Sequence, residues 1–88
     1  MIREQRALTQ VAEYIEATYT EHYAKDKKFQ LSEVIEDLDH GEGFYTGNII
    51  KYASRLNKKK GASGKSDLLK LIHYAILLYG MDITHKGK

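Results

Sequence analysis

Between Gly43 and Ser66 the chain carries Lys51, Arg55, Lys58, Lys59, Lys60 and Lys65 without a single acid. Asn48, Lys51, Arg55 and Lys58 or Lys59 recur at steps of three and four, the spacing that lines one side of an α-helix. Like charges placed this way repel by about 0.2–0.5 kcal/mol per pair, so the run gains nothing locally. A polyanionic ligand relieves that repulsion, and the planar fork of arginine grips a phosphate at two points. Asn48 supplies a hydrogen-bonding group suited to a base or sugar, and Tyr52 a ring suited to stacking. The competing reading is a solvated face, or one neutralised by acids of the same or a neighbouring subunit.

A second candidate follows directly. Gly61-Ala62-Ser63-Gly64-Lys65-Ser66 imitates the end of a Walker A loop, in which backbone amides and a lysine cradle phosphates. The full motif requires glycine where Lys59 stands, and a strand before it; a lysine-rich helix precedes it instead. What survives is milder: amides near Ser66, with Lys65, form a place for a phosphate. Two carboxylate pairs, Glu13-x-x-Glu16 and Glu33-x-x-Glu36 with Asp37, have the residue types that hold Mg²⁺. Both pairs point away from the apolar stripes of their helices, so solvated acids and no metal site are expected. His22, His40, His73 and His85 are scattered, and no serine–histidine–acid constellation forms from local spacing. With no cysteine, disulfides, thiolate metal sites and cysteine nucleophiles are excluded together.

These side chains must be positioned by a small scaffold. Eighty-eight residues make one domain, predicted over residues 1–80, with a frayed tail over 81–88. A chain this short buries only about 60–65% of its unfolded surface, so self-association would support it. Absent proline and 30% charged residues favour helices. The net charge of +2 conceals a split: −5 over residues 1–42, +6 over 43–66 and +1 over 67–88. The longest apolar run, Ala75 to Tyr79, is far short of a membrane span, and the first residues lack the apolar stretch of a signal peptide. A soluble, cytoplasmic, all-α domain is the expectation, a small bundle of three to four helices completed by oligomerisation.

Spacing predicts four helices. The first runs from Arg3 to Tyr23 on Leu8, Val11, Ile15, Tyr19 and His22, and ends at the charged break Lys25-Asp26-Lys27-Lys28. The second covers Leu31 to Leu38, with Ser32 as a cap and Leu31, Val34, Ile35 and Leu38 sharing a face. His40-Gly41-Glu42-Gly43 reads as a turn whose glycines can take positive φ. The third covers Phe44 to Lys59 on Tyr45, Ile49, Tyr52, Ala53 and Leu56. The fourth starts at Ser66 as N-cap and ends at Tyr79, with Gly80 just beyond. Its Leu68, Leu71, Ile72, Ala75, Ile76 and Tyr79 form one broad apolar face, with Leu77 and Leu78 outside its centre. A helix apolar nearly all round is buried on more than one side, within the bundle or against a second subunit.

His22-Tyr23, Glu33-Val34-Ile35-Glu36-Asp37, Gly47-Asn48-Ile49-Ile50-Lys51-Tyr52-x-x-Arg55, the Lys58–Lys60 run with Gly61, and Asp67-Leu68-x-Lys70-x-x-x-Tyr74 together resemble the SaV-like family of small phage proteins. The resemblance extends from Tyr23 to Tyr79, and its most specific part is the Gly-Asn-x-Ile-Lys-Tyr-x-x-Arg block. Ala53-Ser54 stand where the family tends to carry an aromatic, and Ala62-Ser63-Gly64-Lys65 are inserted. The resemblance implies a phage-encoded protein acting in the infected cell. One relative is a nucleoside-monophosphate kinase without a Walker motif; another interacts with a host abortive-infection protein. It adds the Asp67–Lys70–Tyr74 face to the basic helix as positions of interest.

The leading expectation is a nucleotide-like ligand on Asn48, Lys51, Tyr52, Arg55, Lys58, Lys65, Ser66, Asp67, Lys70 and Tyr74. Lys51 and Arg55 would hold phosphates, and Tyr52 or Tyr74 would stack on the base. The residues do not distinguish a kinase, which would use Mg²⁺ and ATP, from a protein that sequesters the nucleotide. The alternative is a module that modulates a host defence or metabolic factor, supported by the apolar fourth helix and the acidic first. Nonspecific nucleic-acid binding ranks below both, because the acidic half repels a long polyanion. With about five phosphates neutralised it would show a log–log salt slope near −4.5.

Overall fold

The computed structural model describes residues 1–20, 28–56, 58 and 64–81. These form four helices and, among the described residues, no strand: α1 (Arg3–Thr18), α2 (Lys28–Asp37), α3 (Gly41–Arg55) and α4 (Gly64–Gly80). The chain is a small all-α bundle. Its centre is the α3–α4 pair, with α1 laid on α4 and α2 on α3. Among the described residues, no helix is long and apolar enough to cross a membrane.

Each boundary has a local cause. At the start of α1 the Gln5 amide oxygen accepts from the Ile2 backbone N–H (3.2 Å), one half of a capping box that Ile2 has no side-chain acceptor to complete. Thr18 and Thr20 donate their hydroxyls to the Tyr14 and Glu16 carbonyls, in competition with the backbone ladder. There α1 ends, and Tyr19 and Thr20 continue as a wider π-type turn. The expected continuation to Tyr23 runs past Thr20 into residues outside those described.

The α2–α3 corner differs from expectation. The residue in the left-handed region is Asp39 (φ 69°), while Gly41 and Gly43 belong to the first turn of α3. The Asp39 amide bonds the Glu36 carbonyl (2.9 Å) and the His40 amide bonds that of Ile35 (3.0 Å). This is a Schellman ending, with aspartate where glycine is usual. The role of Gly41 is one of close approach: a Cβ there would meet Glu36 Cγ and the Met81 thioether at 3.0 Å. Met81, assigned from sequence to a frayed tail, is thus half-buried against the start of α3; residues 82–88 lie outside those described. Ser32, expected as a cap, sits inside α2 because the helix begins at Lys28.

α3 stops at Arg55, short of the expected Lys59, and its end tightens through amide bonds from Leu56 to Ala53 and Lys58 to Arg55. A further turn would set Lys58 and Lys59 three and four residues from Arg55, adding like-charge repulsion. α4 begins at Gly64, so Ser66 lies within its first turn and is not the cap. It runs through Gly80, one residue further than expected.

The core is thin. Among the described residues Val11 and Tyr45 are the buried apolar side chains, and Tyr45 is wholly enclosed. Its hydroxyl donates to Glu36 Oε2 at 2.5 Å, so Glu36, exposed as sequence spacing predicts, also serves as the acceptor for the core tyrosine. Burial first, then the Glu36 hydrogen bond and charge, push the Tyr45 phenol well above its usual range. Leu8, Val34 and Leu38, each counted on an apolar face, are exposed.

α4 shows the largest departure. Its buried positions are Asp67 and His73, while Leu68 (40% exposed), Ile76 (43%) and Tyr79 (90%) face outward. Of the broad apolar face read from spacing, Leu71, Ile72 and Ala75 are half-buried, while Leu68, Ile76 and Tyr79 are exposed.

Candidate anion-binding site

An aromatic spine crosses the bundle from α1 to α3. Tyr14 of α1 and Tyr19 just beyond its end meet His73 edge-on, with ring centroids 5.9 and 6.1 Å away. His73 leans on Tyr74 at 6.5 Å, and Tyr74 packs against Phe44 (6.0 Å) and Tyr45 (6.1 Å) of α3. Tyr74 then stacks on Tyr52 of α3, at 6.1 Å and 14° between planes. Offset and edge-on pairs of this kind contribute about 0.5–1.5 kcal/mol each beyond the area they bury. The spine holds Tyr52 firmly at the surface end of the α3–α4 contact. Burial, with Tyr52 and Tyr14 nearby, pushes the Tyr74 phenol up; burial pulls the His73 imidazole down.

Three cations converge on that terminal ring. Lys51 Nζ lies 4.7 Å from the Tyr52 centroid, Arg55 Cζ 5.6 Å and Lys70 Nζ 6.0 Å. Each such contact is worth about 0.5–1 kcal/mol at an exposed site. Lys51 and Arg55 come from α3 at i and i+4, and Lys70 comes across from α4. Arg55 also pairs with Asp67, Nε to Oδ2 at 3.6 Å. The Asp67 side chain is only 7% exposed against 40% for Arg55, so the arginine compensates a carboxylate that α4 buries. Lys70 donates to Ser66 Oγ at 3.4 Å, one helical turn earlier.

The sequence-derived candidates separate accordingly. Lys51, Tyr52, Arg55, Ser66, Asp67, Lys70 and Tyr74 are joined by these contacts. Asn48 sits one turn before Tyr52, half-buried, and its side-chain N–H donates to the Phe44 carbonyl (2.9 Å). Lys58 is exposed in the turn after α3, and Lys65 is exposed in the first turn of α4. Of the Walker-like segment, residues 61–63 lie outside those described, and Gly64-Lys65-Ser66 are helical. Tyr52 and Tyr74 stack on one another, so their rings form a floor and not an open slot.

Two features escaped the sequence reading. One is that Asp67 neutralises Arg55, a pairing set by the register between two helices. The other is His73 as the link between α1 and the spine; alternating aromatics on α1 and α4 were the signal available. Among the described residues no three His, Asp or Glu side chains cluster as metal ligands would. The outward Glu13, Glu16, Glu33 and Asp37 are all exposed.

Neither a curated protein nor a solved structure matches the chain. A family model does, over residues 17–76, from the last turn of α1 into the last turns of α4. That span contains the whole cationic cluster and every residue of the spine except Tyr14. The chain belongs to this family, DUF3310, described as proteins of unknown function.

Proposed function

We propose that the chain binds a phosphorylated, nucleotide-like ligand on the surface where α3 meets α4. The observation that carries this reading is the convergence of Lys51, Arg55 and Lys70 on one tyrosine ring, with Asp67, among the described residues, the carboxylate paired with Arg55. The cluster holds three positive charges against one negative, and an anion from outside lowers their mutual repulsion. Lys51 from α3 and Lys70 from α4 act as point charges close to the ring. Arg55, held through Nε, directs its remaining amino groups to the same anion. Asn48, Lys58, Lys65 and Ser66 form the rim, where the base or sugar of a nucleotide is received. Tyr52 and Tyr74 keep the cations in place.

The resemblance to SaV-like phage proteins, one of them a nucleoside-monophosphate kinase, supports the same ligand class and a setting in the host cytoplasm. Phosphoryl transfer would need Mg²⁺, ATP and a second phosphate site. The one carboxylate of the cluster, Asp67, is already engaged by Arg55. The reading therefore stops at binding, with sequestration of the nucleotide as its simplest use. A second reading, a module that engages a host protein, draws on the exposed apolar residues of α4.

Titration calorimetry with a panel of nucleoside monophosphates and their unphosphorylated nucleosides tests the proposal. Monophosphates should bind at least tenfold more tightly than nucleosides, and Lys51→Ala with Lys70→Ala should remove that difference at unchanged helix content. Equal affinity for nucleoside and nucleotide, or an unaffected double variant, refutes it. Turnover with ATP and Mg²⁺ would extend binding to kinase activity.

A further inference from the structure

We infer that Asp67 determines the specificity of the α3–α4 surface, restricting it to a ligand with a single phosphate group and turning away phosphate chains. The inference rests on the anion-binding reading of that surface and adds the class of anion it selects. Between Glu42 and Asp67 the sequence has six basic residues and no acid. Asp67 is thus the first carboxylate after the basic run. The fold sets it against Arg55, one of the three cations on the Tyr52 ring.

Burial makes this carboxylate effective. Its side chain is 7% exposed, so water and salt screen its field far less than they screen an acid at the rim. Its Oδ2 lies 3.6 Å from Arg55 Nε, longer than the about 2.7–2.9 Å of a charge-assisted hydrogen bond. A pair at that distance offsets charge without locking the guanidinium, and Arg55 stays 40% exposed. Lys51, Arg55 and Lys70 all lie within 6.0 Å of the Tyr52 ring centre; three cations against one carboxylate leave a net charge of +2. A phosphomonoester carries about −1.5 to −2 at pH 7, so one phosphate meets matching charge. Each further phosphate adds negative charge that the cluster no longer offsets, and adds it beside a weakly screened carboxylate. Lys58 and Lys65 are exposed, where salt weakens their pull on the rest of a phosphate chain.

Uridine 5′-mono-, di- and triphosphate, titrated calorimetrically into the full chain at neutral pH without divalent metal, test the assignment. Wild type should bind the monophosphate at least as tightly as the triphosphate. Asp67→Asn keeps the size of the side chain and removes its charge. Because Coulomb energy scales with ligand charge, triphosphate affinity should rise at least about tenfold, and monophosphate affinity by no more than about threefold. A loss of packing would instead weaken all three ligands. If Asp67→Asn lowers helix content, Asp67→Ser is read in its place with the same expectation. A wild type that binds the triphosphate more tightly, or a variant that shifts mono- and triphosphate alike, overturns the inference while phosphate-dependent binding stands. Equal binding of uridine and its monophosphate to wild type refutes the underlying reading, and the inference falls with it.

Discussion

The two sides of α4 are arranged in the opposite sense from an ordinary amphipathic helix. Toward α3 and α1 it presents Asp67, Lys70, His73 and Tyr74; toward the outside it presents Leu68, Ile76 and Tyr79. On the inner side every polar group named has a specific contact: Arg55 for Asp67, Ser66 and the Tyr52 ring for Lys70, the Tyr14 and Tyr19 rings for His73. On the outer side Leu68, Ile76 and Tyr79 are exposed among the described residues. A helix's hydropathy reports how much surface it must bury, whereas its neighbours decide which side they cover. Here the covered side is shaped by aromatic stacking and charge pairing, and Leu68, Ile76 and Tyr79 stay exposed.

The sharpest way to break the comparison is to remove what the inner side packs on. Tyr45→Ala takes away the wholly buried ring beneath Tyr74, and should lower the unfolding free energy by about 3–5 kcal/mol in urea denaturation. Tyr45→Phe should cost less and weaken the loss of stability at high pH. The wild-type loss has a definite sign: the phenol's raised pKa means that its stabilisation is intact below its ordinary 10.0 and is lost as pH rises through the folded value.

Arg55→Ala comes next, because it strands a buried carboxylate. A loss of about 1–3 kcal/mol is expected, less than for a fully buried pair since Arg55 is 40% exposed. Adding Asp67→Ala should restore part of it, so the double variant should be more stable than Arg55→Ala alone. A double variant that is weaker still would show that Asp67 stabilises the fold by something other than this pair.

His73 sharpens the comparison through pH. Burial lowers its folded pKa below 6.5, so the unfolded chain takes up a proton that the folded chain refuses. Stability from the neutral ring is complete above about 6.5 and is lost as pH falls through the lowered folded value, with a slope of at most about 1.4 kcal/mol per pH unit. His73→Phe should flatten the acid limb of the stability profile. An unchanged acid limb would mean that the carboxylates set it.

The smallest effect belongs to the outer side. Leu68→Ala should change stability by no more than about 0.5 kcal/mol, as at an ordinary surface position, when read by urea denaturation at low protein concentration. A larger loss would mean that α4 uses its outer side within the chain after all.

Much of this architecture is legible in the sequence, and the failures have two causes. Helix-compatible spacing on Val11, Tyr45 and the α4 leucines gives four helices and no strand, and the basic run from Lys51 onward marks the end of α3 as the surface of interest. Boundaries set by local chemistry are less visible. Asp39 takes the left-handed position that the glycines were expected to fill, while Gly41, inside α3, admits Met81. Register between helices is not encoded in spacing along one of them. Hence Arg55 opposite Asp67, Tyr52 flat on Tyr74, and the outward turn of α4 emerge only when α3 and α4 are placed together.

The central claim is that the cations around Tyr52 receive an anion from outside the chain. The direct measurement is a titration of the ¹⁵N-labelled protein with a nucleoside monophosphate, followed by amide and arginine side-chain shifts. Saturable shifts should concentrate on residues 51–55 and 66–74, with the Arg55 side chain among the largest. Shifts confined to α1 and α2, or none at millimolar nucleotide, would contradict the account.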